Sequence, residues 1–300
     1  MITGKLYLHI GPPKTAATSL QIAMQEADLP RLHYGGTFQP REDNVGSSAQ
    51  TPHKASCGRL AAGDADVRSA LDEIGEHLRG GNLILSEEMF LVEQHDNPFP
   101  EKLRRLGDLL SDIPTVVLVT LRDPREGLPS LYQELFNGLP LTEKLSFARF
   151  CRGPRARCYD YTFVHENLIQ AAFRDIRGIE FHDLTAGEVP LSQVIGHDAL
   201  TDAMLILRRA NSGAKTGPDK RTLPPVSLKS IGGMRPVRAS LDRTGLRGTA
   251  LSRHAAATFD RIRLRPGDER QLRLPAHTAG RLDTCLAGAR TRLQPMESPQ

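Results

Sequence analysis

The stretch from Leu6 to Gln21 constrains the fold more than any other part of the chain. It begins with the apolar run Leu6 to Ile10, which is typical of a strand buried on both faces of a parallel sheet. A sharp turn at Gly11-Pro12-Pro13 follows, then Lys14, and then a segment that predicts a helix over 16–27. A helix N-terminus behind a tight turn binds anions, because its free backbone N–H groups and its dipole both favour negative charge.

The side chains around this turn suit a phosphate group. Lys14 brings a full positive charge, and Thr15, Thr18 and Ser19 bring hydroxyl donors. The spacing is not that of the Walker A loop, in which Lys directly follows a second Gly and precedes Ser or Thr. Here Lys14 comes three residues after Gly11, and no Gly follows it. The stretch therefore predicts a phosphate-binding loop of another kind.

Strands and helices alternate along the chain after this loop. Apolar runs predict further strands over 82–88, 115–122 and 179–184. Helical periodicity predicts helices over 66–79, 100–111, 123–136, 142–151 and 161–175, and over 190–209 in one or two pieces. Residues 30–65 are rich in Gly, Pro, Ser, Asn and His and predict a long irregular segment. Strand–helix alternation favours βαβ units and a parallel sheet with helices on both faces. Ligands of such sheets bind at the carboxyl ends of the strands.

The composition changes from Asn211 onward. Residues 227–300 are rich in Arg and weakly periodic, with predicted helices over 252–263 and 277–293. We therefore expect an α/β domain over 1–210 and an Arg-rich C-terminal extension over 211–300, packed on the same domain.

Bulk properties narrow the class of protein. Hydrophobic residues make up 39% of the 300 residues, enough for a substantial core. A net charge of +4 and a pI of about 9.0 suit a polyanionic ligand. Basic residues are not interleaved with aromatic ones, so nucleic acid is the less expected partner. No apolar run approaches the ~18 residues of a membrane span and no signal peptide is evident, which favours a cytoplasmic protein.

The four cysteines are scattered and do not have the spacing of a zinc site. They are expected to be reduced core or surface thiols. We expect no metal site from this sequence.

A second motif follows the strongest predicted strand. Arg122 closes that strand, Asp123 and Pro124 suit the N-cap and first position of a helix, and Ser130 comes eight residues after Arg122. A guanidinium at a strand end offers a bidentate fork to phosphate, and a serine on the next helix can add a hydrogen bond. Pro129 should kink that helix just before Ser130. The alternatives are that Lys14 is an ordinary surface lysine and that Arg122 forms a structural ion pair with Asp123 or Glu126.

The two motifs together resemble those of the PAPS-dependent sulfotransferases, over about residues 5–185. PAPS is 3′-phosphoadenosine 5′-phosphosulfate. The loop His9 to Gln21 is similar to the 5′-phosphosulfate loop of bacterial members, which reads approximately H-I-G-x-P-K-T-G-T-T-S-L-Q. The chain has Ala16 where Gly is usual and Ala17 where Thr is usual. The resemblance implies a P-loop-NTPase-like three-layer sandwich, with PAPS held by Pro13, Lys14, Thr15, Ala16, Ala17, Thr18, Ser19, Arg122 and Ser130.

The resemblance also implies a reaction, the direct in-line transfer of a sulfuryl group to a hydroxyl of a carbohydrate or small metabolite. Lys14 would neutralise charge on the leaving phosphate. The family uses a Glu or a His as the base for the acceptor hydroxyl. Glu87, in the Ser86-Glu87-Glu88 segment at a predicted strand end, is the preferred candidate.

Several alternatives stay open from the sequence. Glu88, His33 and His53 are other candidates for the base, and the acidic pair at 87 and 88 can also be an exposed strand end. His9 lies inside the first strand and is expected to be a core histidine. The whole chain can instead be a catalytically impaired PAPS-binding protein, which Ala16 and Ala17 favour, or an atypical P-loop kinase.

Overall fold

The computed structural model describes residues 2–39, 48–94, 96–185, 187–196, 203–207, 222–224, 226–227, 239–241, 243–245, 248–265 and 268–293. The chain forms two compact units, each made of separate stretches of sequence. The first contains residues 1–127, 154–214 and 280–300, and the second contains 128–153 and 215–279. The predicted boundary between 210 and 211 lies outside the described residues and stays a prediction.

The first unit is built on a five-stranded parallel sheet. Its strands are β1 (Leu6–Ile10), β2 (Leu32–Tyr34), β3 (Asn82–Ser86), β4 (Thr115–Leu121) and β5 (Asp175–Glu180). They lie in the order β2-β3-β1-β4-β5, and every neighbouring pair is parallel. β1 is therefore central, between β3 and β4. The predicted parallel α/β sheet is confirmed.

Helices flank this sheet and continue through the chain. They are α1 (Ala17–Glu26), α2 (Gln50–Ser56), α3 (Ala65–Gly80), α4 (Phe99–Leu109), α5 (Pro124–Leu135), α6 (Leu141–Lys144), α7 (Phe147–Arg152), α8 (Tyr161–Gln170), α9 (Leu191–Ile195), α10 (Ala250–Arg261) and α11 (Ala276–Arg292). Four short 3₁₀ turns are also described, at Glu88–Leu91, Phe136–Gly138, Pro154–Tyr159 and Asp183–Thr185.

Short antiparallel pairs complete the described strands. In the first unit β6 (Glu188–Pro190) pairs with β7 (Met204–Ile206). In the second unit β8 (Thr222–Leu223) pairs with β11 (Asp268–Gln271), and β9 (Val226–Ser227) pairs with β10 (Arg263–Arg265).

The core of the first unit explains the position of α1. Leu20 and Met24 on that helix pack with Tyr7 of β1, Ile84 of β3 and Val116 of β4. Residues four apart on a helix share a face, so Leu20 and Met24 fix α1 against the three central strands. The N-terminus of α1 is thereby held directly after the end of β1.

Three segments differ from the sequence expectations. Within residues 30–65, β2 and α2 are regular elements, but each is too short to produce a clear periodic pattern. β5 begins at Asp175 rather than at 179. It is an edge strand and mostly half-buried, so it lacks the continuous apolar pattern that marks a central strand. The prediction of one or two helical pieces over 190–209 is confirmed at Leu191–Ile195 and wrong at Met204–Ile206. Among the described residues of this segment, 190–196 and 203–207, only Leu191–Ile195 is helical, and Met204–Ile206 pairs with β6 as a strand in which Leu205 alone is buried.

Candidate functional site

The loop between β1 and α1 is tight and partly left-handed. Lys14 has φ 73° and Ala16 has φ 63°, in the region that glycine adopts most easily. Thr15 Oγ1 donates a hydrogen bond of 2.7 Å to the carbonyl of Pro12. Gly11 must be small, because a Cβ atom there would lie 2.5 Å from Thr15 Oγ1. These contacts fold the six residues before α1 into a compact turn.

The loop presents part of the predicted anion-binding groups outward. Lys14, Thr18 and Ser19 are half-buried, whereas Thr15 is fully buried and its hydroxyl proton serves the turn itself. Ala16 occupies the N-cap of α1 and makes no side-chain capping bond. The first N–H groups of a helix without a side-chain cap suit an external anion.

Arg122 lies at the end of β4, the neighbour of β1, and braces the loop. Its Nη1 donates to the carbonyl of Lys14, and its guanidinium lies over the ring of Phe181 at 4.2 Å. Glu126 Oε2 is 3.8 Å from Nη2, so the alternative of an ion pair with Glu126 has a structural basis. Asp123 instead accepts the backbone N–H of Arg125 at 2.7 Å. Arg122 Nε is buried and has no hydrogen-bond partner among the described residues.

Two buried tyrosines hold the loop and Arg122 from behind. Tyr159 Oη donates to the carbonyl of Pro13 at 2.7 Å. Tyr161 Oη accepts the backbone N–H of Arg122 at 2.7 Å and donates to its carbonyl at 3.0 Å. Burial raises the pKa of Tyr161, so its phenol stays protonated. Gly127 leaves room for Tyr159, because an added Cβ would lie 2.1 Å from the ring.

A polar chain joins the three central strands beside the site. His9 on β1 contacts Ser86 Oγ through Nδ1 and Thr120 Oγ1 through Nε2, each at 2.8 Å. Gln21 donates to Ser86 Oγ at 3.3 Å and to its carbonyl at 3.2 Å. Burial lowers the pKa of His9 to about 4, so the ring is neutral near pH 7. The interpretation of His9 as a satisfied core histidine is confirmed.

Glu87 follows β3 directly and is buried. Its Oε1 accepts the N–H of Met89 at 2.9 Å, and its Oε2 accepts from Thr37 Oγ1 at 2.6 Å. Its own backbone N–H donates to the carbonyl of His9 at 3.1 Å, which places it at the same sheet edge as the β1–α1 loop. Glu88 is half-buried in the 3₁₀ turn that Glu87 caps. Glu87 therefore combines a capping role with a position near the loop.

The other predicted residues lie in different surroundings. His33 lies on β2 and stacks on His77 with ring centroids 3.9 Å apart. Loss of water around the stacked ring and the neighbouring His77 lower the pKa of His33. His53 lies on α2 with Nε2 3.3 Å from Cys57 Sγ. Ser130 is half-buried on α5 in the second unit, directly after Pro129. A role for Ser130 with Arg122 and a kink at Pro129 stay predictions.

Sequence reasoning missed the supporting residues. Tyr159, Tyr161 and Thr37 carry no motif, because each acts through contacts between segments far apart in the chain. Gln21 ends the loop motif, but its contact with Ser86 was not foreseen. The local sequence feature at these positions is two tyrosines, Tyr159 and Tyr161, with one residue between them.

Comparisons with protein-family models, curated proteins and solved structures find no match. Among the residues that the structure describes, none of the helices has the length and apolar character that crossing a membrane requires. The same residues contain no group of three or more His, Cys, Asp or Glu side chains arranged to hold a metal ion.

Proposed function

We propose that the protein is a PAPS-dependent sulfotransferase with a P-loop-like three-layer sandwich. The observation that carries this proposal is the bond from Arg122 to the carbonyl of Lys14. It joins the two motifs, which are 108 residues apart in the chain, at the carboxyl ends of adjacent parallel strands. Such strand ends are where α/β sheets bind their ligands.

The residues at this sheet edge fit an anionic group. The uncapped first turn of α1 offers backbone donors, Lys14 offers a positive charge, and Arg122 Nε is a buried donor without a partner among the described residues. A buried N–H group without a partner costs free energy, and a phosphate oxygen would supply the missing acceptor. When bound, PAPS supplies an activated sulfuryl group. Lys14 and Arg122 would then hold and orient its phosphates.

Glu87 is the proposed base for the acceptor hydroxyl. Its two oxygens each accept one hydrogen bond, from Met89 and Thr37, which fixes the orientation of the carboxylate. Each carboxylate oxygen has two lone pairs, so a carboxylate held in this way can still accept a proton. A fixed base is useful because correct positioning contributes much of the rate in group transfer.

A second candidate is a PAPS-binding protein of the same fold that lacks turnover. Ala16 favours it, because a non-glycine residue holds a left-handed position in the loop. The hydroxyl of Thr15, which is committed to the carbonyl of Pro12, also favours it. Both features reduce what the loop can offer to a phosphate without removing Lys14 or Arg122.

A turnover screen separates the two candidates. The unmutated protein, Lys14→Met and Glu87→Gln are incubated with sulfur-labelled PAPS and a panel of carbohydrate and small-metabolite hydroxyl acceptors. Transfer of label that is lost in both variants supports the sulfotransferase. Binding of PAPS with no transfer to any acceptor supports the binding protein. If neither binding nor transfer is detected, both candidates are wrong.

A further inference from the structure

A cysteine and a histidine form a close pair at the end of α2. Cys57 caps the C-terminus of this helix, and His53 lies one turn earlier on the same face. His53 Nε2 is 3.3 Å from Cys57 Sγ. Phe90 packs edge-on against the imidazole, with ring centroids 5.6 Å apart. A base within reach of a thiol is the arrangement that activates a cysteine as a nucleophile.

Positive charge lies close to this pair. Lys102 is fully buried and donates to the carbonyls of Met89 at 2.5 Å and Val92 at 2.6 Å. Burial lowers the pKa of Lys102, and Cys57 is the leading group that acts in the opposite direction.

Asn97 fixes the backbone of Cys57. Its Nδ2 donates to the carbonyl of Cys57 at 2.8 Å. Its Oδ1 is buried without a hydrogen-bond partner among the described residues. An incoming peptide-like N–H would therefore find an unused acceptor on the residue that fixes the Cys57 backbone.

The remaining cysteines have no such surroundings. Burial raises the pKa of Cys151 and of Cys158 to about 12, so these thiols stay protonated. Cys285 is half-buried like Cys57, but burial raises its pKa. Cys285 therefore serves as an internal control of similar exposure.

We propose that Cys57 is a modification site that forms a mixed disulfide with small disulfides of the glutathione type. The proton of Cys57 passes to His53 Nε2, and the thiolate attacks one sulfur of the disulfide. The disulfide bond breaks as the new sulfur–sulfur bond forms, and the departing thiolate takes up a proton. Cys57 is oxidised, and the released half of the reagent is reduced to a thiol. This activity is independent of the proposed sulfuryl transfer.

The test follows the modification of the full chain by oxidised glutathione at pH 7, using intact mass and peptide mapping. Because His53 lies within reach of the Cys57 proton, whereas burial raises the pKa of Cys285, we expect Cys57 to react at least about tenfold faster than Cys285. Cys57→Ser should remove the fast reaction. His53→Gln should slow it about tenfold, with the circular dichroism spectrum unchanged.

Two results would overturn the proposal. One is equal reaction rates at Cys57 and Cys285 in the unmutated protein, a comparison that needs no variant to fold. The other is a folded His53→Gln protein that reacts as fast as the unmutated one, because His53 would then not accept the proton. Reaction at Cys285 alone would contradict it as well.

Discussion

Replacing Ala16 by Gly should stabilise the protein relative to the matched replacement of Ala17. Ala16 has φ 63° and ψ 20°, and this left-handed conformation costs a non-glycine residue about 1–2 kcal/mol. Ala17 begins α1 and is 2% exposed, so Gly there relieves no strain and removes a buried methyl group. Both variants gain the same backbone freedom in the unfolded chain, which costs each about 0.4–1 kcal/mol.

The shared entropy cost cancels when the two variants are compared. Relief of strain at Ala16 and loss of the buried methyl at Ala17 act in the same direction. Ala16→Gly should therefore be about 2 kcal/mol more stable than Ala17→Gly. Because Ala16 loses a half-buried methyl of its own, its absolute gain over the unmutated protein should be only about 0.5 kcal/mol.

Urea unfolding followed by circular dichroism measures this difference. The free energies of unfolding of the three proteins are compared using one common slope against urea concentration. A change in the midpoint then reports a change in stability alone. If Ala16→Gly loses as much stability as Ala17→Gly, the loop is not strained at Ala16 and the reasoning is refuted. Gly at this position should also tighten binding of adenosine 3′,5′-bisphosphate, the product that sulfuryl transfer from PAPS leaves behind, because the relaxed loop can adjust to the phosphate.

Two further predictions concern residues that support the site. The lowered pKa of His9, about 4 against 6.5 in the unfolded chain, means that the unfolded state binds the proton more readily. The neutral His9 ring therefore contributes to the free energy of unfolding. This contribution is complete above pH 6.5 and is lost as the pH falls towards 4, by up to about 3 kcal/mol. Urea unfolding from pH 7.5 to 4.5 should show this decline, and His9→Gln should flatten it; an equal decline in both proteins would contradict the assignment. Gly127→Ala should lower stability by about 1–3 kcal/mol through the clash with Tyr159, whereas Gly75→Ala, with open space around it inside α3, should raise it by about 0.5–1 kcal/mol. Thermal melts check this pair, and a similar loss in both would argue against a specific clash.

The central sheet could be predicted from sequence because each of its central strands has a clear local sequence pattern. β1, β3 and β4 are short apolar runs buried on both faces, and each is followed by turn or capping residues. The parallel order then follows from the helices between them. β2 and β5 lie at the edges, where the pattern of burial is weaker, so their bounds were missed or shifted.

The sequence likewise predicts some residues of the candidate site but not the contacts between them. Lys14 and Arg122 could be proposed from sequence because each sits where a predicted strand ends. Their connection through a backbone carbonyl could not, because it depends on the left-handed path of the loop. The carboxylate of Glu87 accepts hydrogen bonds from Thr37 and Met89. The bond from Thr37 also depends on packing between segments that share no sequence pattern.

The error in the helical prediction over 190–209 has a similar origin. Leu191–Ile195 does form a helix, but Leu205 is buried between exposed Met204 and Ile206, which is the alternation of a strand. Pairing with β6 decided the conformation there. Tertiary contacts thus overrode a helical pattern that extended over too few residues to be decisive.

Calorimetric titration with adenosine 3′,5′-bisphosphate tests the central claim most directly. The unmutated protein should bind it with micromolar affinity or better, and Lys14→Met and Arg122→Lys should each weaken binding about tenfold to hundredfold through lost charged contacts. Arg174→Met, which removes an exposed positive charge just before β5, should bind as the unmutated protein does. Failure of the unmutated protein to bind, or equal affinity in all four proteins, would contradict the assignment of this sheet edge as the bisphosphate site.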